Sequence, residues 1–258
     1  MKRYAGHLIY TLSVFGLICS TMAVDVDITG KLKTARGYTW RGVISQDALY
    51  VQPSVTMNFH ELTIGMCMDR DLQHKDDSVI RSRLNLSCDY STMFNNFVAS
   101  IGMIGYIYQD SPAQIFDDTA DLYFQLACSL PVVVSLTIYR DIARIDNFYY
   151  TGKIAYSLPL NEKGTELGIN VSASAGSRDY NQYMMSKFLP EQNISEIDDD
   201  LVDFSTGLQL SVPADKNLTF VSELRYIRLM DTIRDAVKKA GKDSDTLVYS
   251  IMLEYSFR

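Results

Sequence analysis

Beyond residue 24 the chain has no uninterrupted apolar run long enough for a membrane helix, which takes about 18–20 residues. That excludes a helical membrane protein. Cysteine is scarce and unpaired by spacing: Cys67, Cys88 and Cys128 fit neither a disulfide framework nor a zinc motif. The chain has three histidines, of which only His60 and His74 lie beyond the first turn of residues. Positive charge is short as well, with 24 Lys and Arg against 31 Asp and Glu and a formal net charge of −7. Nucleic-acid binding rests on clustered Lys and Arg, so no nucleic-acid partner is expected. What is abundant is tyrosine, 17 residues, and phenylalanine, 11 residues, and aromatic residues favour strands.

The first residues form a secretory pattern. Lys2 and Arg3 give a charged start, Leu8 to Ile18 an apolar stretch, and Thr21 and Ala23 small residues at the −3 and −1 positions of a cleavage site. Residues 1–23 therefore read as a cleaved signal peptide, and 24–258 as the exported unit. Ile18 is bulky where lipidation of Cys19 needs a small residue, so a lipoprotein is not expected.

The rest of the chain alternates apolar and polar residues with period two, broken by polar turns. Tyr249, Ile251, Leu253, Tyr255 and Phe257 alternate with Val248, Ser250, Met252, Glu254 and Ser256. The pattern predicts twelve strands at roughly 26–43, 48–59, 61–70, 78–90, 96–108, 119–129, 132–140, 148–158, 165–178, 201–212, 217–229 and 246–257. Links between them alternate in length: His60, Ser91–Asn95, Leu130–Pro131, Pro159–Gly164 and Pro213–Lys216 are short. Asp71–Asp77, Gln109–Asp118, Asp141–Asn147, Asp179–Asp200 and Met230–Asp245 are long, and only Ile44–Asp47 breaks the rule. Short links on one side and long ones on the other are the mark of an all-β, antiparallel up-and-down transmembrane barrel in the outer membrane. Aromatics on the apolar phase fall into two bands, Phe59, Tyr90, Phe97, Tyr156, Phe220 and Phe257 at one end and Trp40, Phe148, Tyr150, Tyr226 and Tyr249 at the other, as interfacial girdles would.

If the apolar phase meets lipid, the opposite phase lines a lumen. It carries Lys31, Lys33, Arg41, Arg81, Arg83, Asp121, Gln125, Lys153, Glu166, Glu223 and Arg225, the candidate pore-lining set. The same residues are equally suited to ion pairs that fill the interior, and twelve strands lie between barrels that are filled and barrels that conduct. Arg36, Arg140 and Arg228 share the apolar phase; the last two sit near strand ends where long side chains snorkel. A β-bulge at Gly37 is expected to return Arg36 to the lumen.

Catalysis has little to rest on. Outer-membrane hydrolases need an activated serine or a His-assisted acid–base pair, and His60 and His74 both fall in links. Asp76–Asp77, Asp117–Asp118 and Asp198–Asp200 lack EF-hand spacing. No enzyme, metal or cofactor is expected. The link 179–200, with Tyr180, Tyr183, Met184, Met185, Phe188 and Leu189, is suited to folding over a barrel mouth, and Thr232–Ala240 to a short helical cap.

Tyr38-Thr39-Trp40-Arg41-Gly42-Val43 followed by Val51-Gln52-Pro53-Ser54-Val55-Thr56 resembles the opening of the TorF-like porin family of Gram-negative outer-membrane proteins. Asp121-Leu122-Tyr123, Ser135 to Asp141, Asn147 to Tyr150 and the closing Leu253-Glu254-Tyr255-Ser256-Phe257 are similar in character to its later strands, although this chain ends in Arg258. The resemblance implies an outer-membrane location and a porin-like fold more than a substrate. The function expected is passive conduction of small polar solutes, the alternative a closed structural or adhesive barrel acting through its outer loops, with a lipid-modifying enzyme the least favoured reading. Its expected partners are outer-membrane lipid and, through the last strand, the barrel-assembly machinery; an oligomer is compatible with it.

Overall fold

A computed structural model describes residues 26–41, 43–73, 82–109, 117–189, 192 and 194–257. The expected leader 1–23, Arg81, His74, Asp76, Asp77 and Arg258 lie outside the described residues.

Twelve strands form: β1 Asp27–Trp40, β2 Val43–Phe59, β3 Leu62–Asp71, β4 Ser82–Phe94, β5 Phe97–Gln109 and β6 Thr119–Ser129. They continue with β7 Val133–Asp141, β8 Phe148–Pro159, β9 Glu166–Gly176, β10 Asp200–Pro213, β11 Leu218–Leu229 and β12 Asp245–Phe257. Each pairs antiparallel with its neighbours in sequence, and β1 pairs with β12, so the sheet is one closed barrel. Closure leaves no unpaired sheet edge, the condition for strands to stand in lipid. The strands run from 9 to 17 residues, enough for the 9–11 or so that a tilted membrane strand needs.

The period-two pattern sets the two faces. Leu32, Leu86, Ile101, Leu126, Leu136, Ile154, Leu208, Leu224 and Ile251 are exposed on the outside, an arrangement unfavourable in water and matched to hydrocarbon. Leu224→Arg, in the middle of β11, should therefore cost about 2–4 kcal/mol, read by denaturant unfolding in phospholipid vesicles. Stability equal to the unsubstituted chain would show that this face does not meet lipid. Tyr90, Phe97, Tyr156, Phe220 and Phe257 are exposed near the short-turn end, and Phe148, Tyr150, Tyr226 and Tyr249 near the other.

Three differences from expectation have local causes. The β4–β5 hairpin continues to Phe94, leaving Asn95 and Asn96 as its turn, because Asn95 adopts φ 52° and asparagine tolerates the left-handed region that tight hairpins require. The first hairpin does not end at Ile44–Asp47; Trp40 pairs directly with Val43. The register of β1 against β2 does shift between Arg36 and Tyr38, around Gly37 at φ 83°, a value open to glycine. Arg36 itself stays outside, opposite Leu49 and Tyr249, beside the aromatic band where a guanidinium snorkels. The residue taken inward is Trp40, expected in the outer girdle and found packed on Tyr106 and Tyr108, 5.6 and 6.1 Å between ring centres.

The long-link end is filled. In the β9–β10 link, α1 (Arg178–Phe188) presents Tyr180, Met184 and Phe188 together with Asn181 and Met185 on one face, the i, i+4 spacing of a helix. Asp179 in its first turn and Lys187 in its last complement the helix dipole. Asn181 Nδ2 donates to the Gly176 and Asp198 carbonyls, and a Cβ on Gly176 would lie 2.0 Å from Asn181 Oδ1, so a side chain there would have to displace Asn181 from these bonds. In the β11–β12 link, α2 (Asp231–Lys239) buries Ile233, Ala236 and Val237. Together with Tyr50, Tyr149, Val202 and Leu229 from the strand ends, the two helices make one apolar cluster. The mouth-covering link and the helical cap expected from sequence are both helices here, and they share this core.

Candidate functional site

The interior below that cluster is polar and built from charge pairs. Lys31 Nζ lies 2.8 Å from Glu254. Lys33 Nζ lies 3.1 Å from Glu223, which also accepts from Ser250 and stands 3.6 Å from Arg225 Nε. These residues sit on three consecutive strands, β11, β12 and β1, and form a ladder up one wall. One strand further round, on β3 and β4, Arg83 grips Asp69 Oδ2 through Nε and Nη2, at 3.0 and 2.6 Å. Asp69 also accepts from Gln52 at 2.6 Å and Asn85 at 3.2 Å. A carboxylate so saturated with donors holds its partner by charge-assisted bonds.

Arg41 is the element that crosses the lumen. It belongs to the β1–β2 turn rather than a strand, with φ 49°, a left-handed value that costs a non-glycine residue about 1–2 kcal/mol. Its side chain offsets this by what it reaches. The guanidinium pairs with Asp121 on β6, five strands round a ring of twelve, and donates to the hydroxyls of Tyr180 and Tyr106. Five rings, Trp40, Tyr106, Tyr139, Tyr149 and Tyr180, lie with centres 5.2–5.5 Å from its central carbon, within cation–π range. Arg83 approaches the Trp40 ring at 4.6 Å. Burial pushes the Tyr180 hydroxyl well above its ordinary value, so it meets Arg41 as a neutral phenol. The short link expected at 44–47 is thus a tighter turn between Trp40 and Val43, from which Arg41 reaches inward.

Below the cage lies a cavity of about 620 Å³, bounded by Trp40, Arg41 and Tyr149 above and by Lys31 and Ser54 below. Nearer the short-turn end, Lys153, Glu166, Asn170 and Gln209 line a smaller recess, in which Glu166 accepts from Ser157 at 2.7 Å.

Of the candidates chosen from sequence, Lys31, Lys33, Arg83, Asp121, Lys153, Glu166, Glu223 and Arg225 all stand on the inner face, Gln125 donates to Thr137 there, and Arg41 enters from its turn. They do not form one centre: the ladder, the Arg83–Asp69 wall, the Arg41 cage and the Lys153–Glu166 recess are four groups, with Gln125 bonded apart from them to Thr137. Sequence reading missed Asp69, Asp203 and Glu254, although the same alternation marks them as inward. It also missed the tyrosines of the cage, which converge from β5, β7, β8 and α1 and share no local pattern. His60 lies in the β2–β3 turn, exposed to solvent, and among the described residues no group of three or more His, Cys, Asp or Glu side chains could hold a metal.

No protein-family model matches the chain, and no curated protein sequence does. Solved structures do match in fold. A KdgM porin superposes with a TM-score of 0.56 at 13% identity, covering 89% of this chain and 99% of its own. A KdgM porin in complex with disordered oligogalacturonate gives 0.55 at 13% identity, covering 90% and 99%. At that identity the likeness is one of architecture, a barrel closed in the manner of outer-membrane porins.

Proposed function

We propose that this chain is an outer-membrane porin, exported by a cleaved leader, which passively conducts small polar solutes. The observation that carries the reading is the pairing of an apolar outer wall with a charged, cavity-bearing interior in one closed barrel. The two aromatic bands and the architecture shared with KdgM support the same placement, and the TorF-like opening motif supports the family. In this arrangement the short turns face the periplasm, lipid covers the outer wall, and β12, with Tyr255 and Phe257 in edge contact at 4.8 Å, presents the strand read by the assembly machinery. Arg41 and α1 form the narrow end, and solutes pass when that end loosens.

A second reading, a closed barrel acting through its outer loops, is favoured by the apolar cluster at the long-link end. One measurement separates the two. Folded protein, identified by a heat-dependent shift in SDS mobility, should give stepwise currents in planar lipid bilayers. Absence of steps from a folded preparation overturns the conducting reading in favour of the closed one.

A further inference from the structure

We propose that the central cavity selects uncharged, polyhydroxylated solutes of saccharide type and disfavours acidic ones; this rests on the conducting reading above. Four cations touch the cavity, Lys31, Arg41, Arg83 and Arg225, and each already faces a carboxylate of the barrel: Glu254, Asp121, Asp69 and Glu223. An anion can bind them only by competing with those partners, and breaking a pair leaves an uncompensated charge behind. Asp203 also lines the cavity and, among the described residues, has no ion pair, while Lys33 and Arg225 share Glu223, so the five cations and five carboxylates of this region balance. Matched in this way, the wall offers an acidic guest no surplus positive charge.

The wall is well furnished for a neutral one. Ser54, Thr56, Ser87, Thr151, Ser172 and Ser205 contribute hydroxyls, which donate and accept alike. Among the described residues Asn85 Oδ1, an acceptor, is buried without a hydrogen-bond partner, and Arg225 Nε, a donor, has the 3.6 Å ion pair to Glu223 but no hydrogen bond. A solute carrying many hydroxyls satisfies both kinds at once, whereas an acceptor-only carboxylate satisfies one. The volume, about 620 Å³, lies within the roughly 300–1,000 Å³ of small-ligand sites.

Trp40 makes the test direct, because it is the sole tryptophan of the chain and stands on the cavity wall. The folded, detergent-solubilised protein is titrated at matched ionic strength with maltotriose and with trigalacturonate while tryptophan emission is followed. Maltotriose should give a saturable change, and trigalacturonate a binding at least about tenfold weaker, one decade in the dissociation constant. Asn85→Leu should weaken maltotriose about three- to tenfold, the loss of one hydrogen bond, and Asp203→Asn should raise the affinity for trigalacturonate. Tighter binding of trigalacturonate than of maltotriose overturns the inference, and so does an unresponsive Trp40 with both. Bilayer recordings on the same preparation separate the two proposals. Steps with a silent Trp40 remove only the solute class, and a responsive Trp40 without steps removes only conduction.

Discussion

Asp121→Ala is expected to destabilise the barrel by about 3–5 kcal/mol, the cost of stranding one partner of a buried ion pair. Asp121 is fully buried and the Arg41 side chain is 6% exposed, so solvent cannot replace the lost carboxylate. The aromatic cage softens the loss, since the rings attract a cation by about 2 kcal/mol or more when water is excluded, but their faces are spent on Arg41 already. The consequence is cooperative, because Arg41 is held by groups on five strands and one helix. Its release would free the β1–β2 turn, the Trp40 ring and the α1 anchor Tyr180 together. Replacing both partners by apolar residues of similar size, Arg41→Met with Asp121→Leu, should recover most of the stability, as buried pairs often tolerate such exchange. Unfolding curves in denaturant for the two single variants and the double one form the cycle. A loss below about 1 kcal/mol for Asp121→Ala, the range of exposed pairs, would show the bridge to be water-accessible.

This bridge also marks where sequence stops being informative. Alternation and link length place all twelve strands, because in a barrel each strand solves the same local problem: one face to lipid, one to the lumen. Lys31 opposite Glu254 and Lys33 near Glu223 follow from register, so their inward direction is legible in period two alone. Trp40 is not, since the register shift at Gly37 overrides the phase that the alternation assigns. Nor is the Arg41 cage. Arg41 and Tyr180 are 139 positions apart along the chain, and their meeting depends on the barrel's girth and on how far the Arg41 side chain reaches inward. The same holds for α1. Its composition announces a covering segment, but only Tyr50, Val202 and Leu229, gathered from distant strand ends, decide that it packs inside the mouth.

Replacing residues 179–196 by a short Gly/Ser linker is expected to leave the barrel closed and to raise its conductance severalfold. The link can be shortened because its two ends are already together: Gly176 pairs with Asp200 in the β9–β10 register, and loop-closure entropy changes only slowly with length. None of the twelve strand pairings uses the deleted segment. What is lost is apolar packing. Tyr180, Met184, Met185 and Phe188 leave the cluster, each buried side chain representing about 1.5–3 kcal/mol, and Arg41 loses the Tyr180 hydroxyl and ring. Tyr149, Val202, Leu229 and the α2 face of Ile233 and Val237 would then meet water, so the variant should unfold at lower denaturant while still showing a heat-dependent shift in mobility. Electrically, removing α1 takes away part of the cover above the cage, leaving α2 and the Arg41–Asp121 bridge at that end, and the current through single channels should rise with it. If the folded variant conducts no better than the full chain, α1 lies outside the conducting path, and the Arg41 bridge is the next part of the narrow end to test. Combining the deletion with Arg41→Met and Asp121→Leu then tests that bridge, with a further rise in conductance as the expected result.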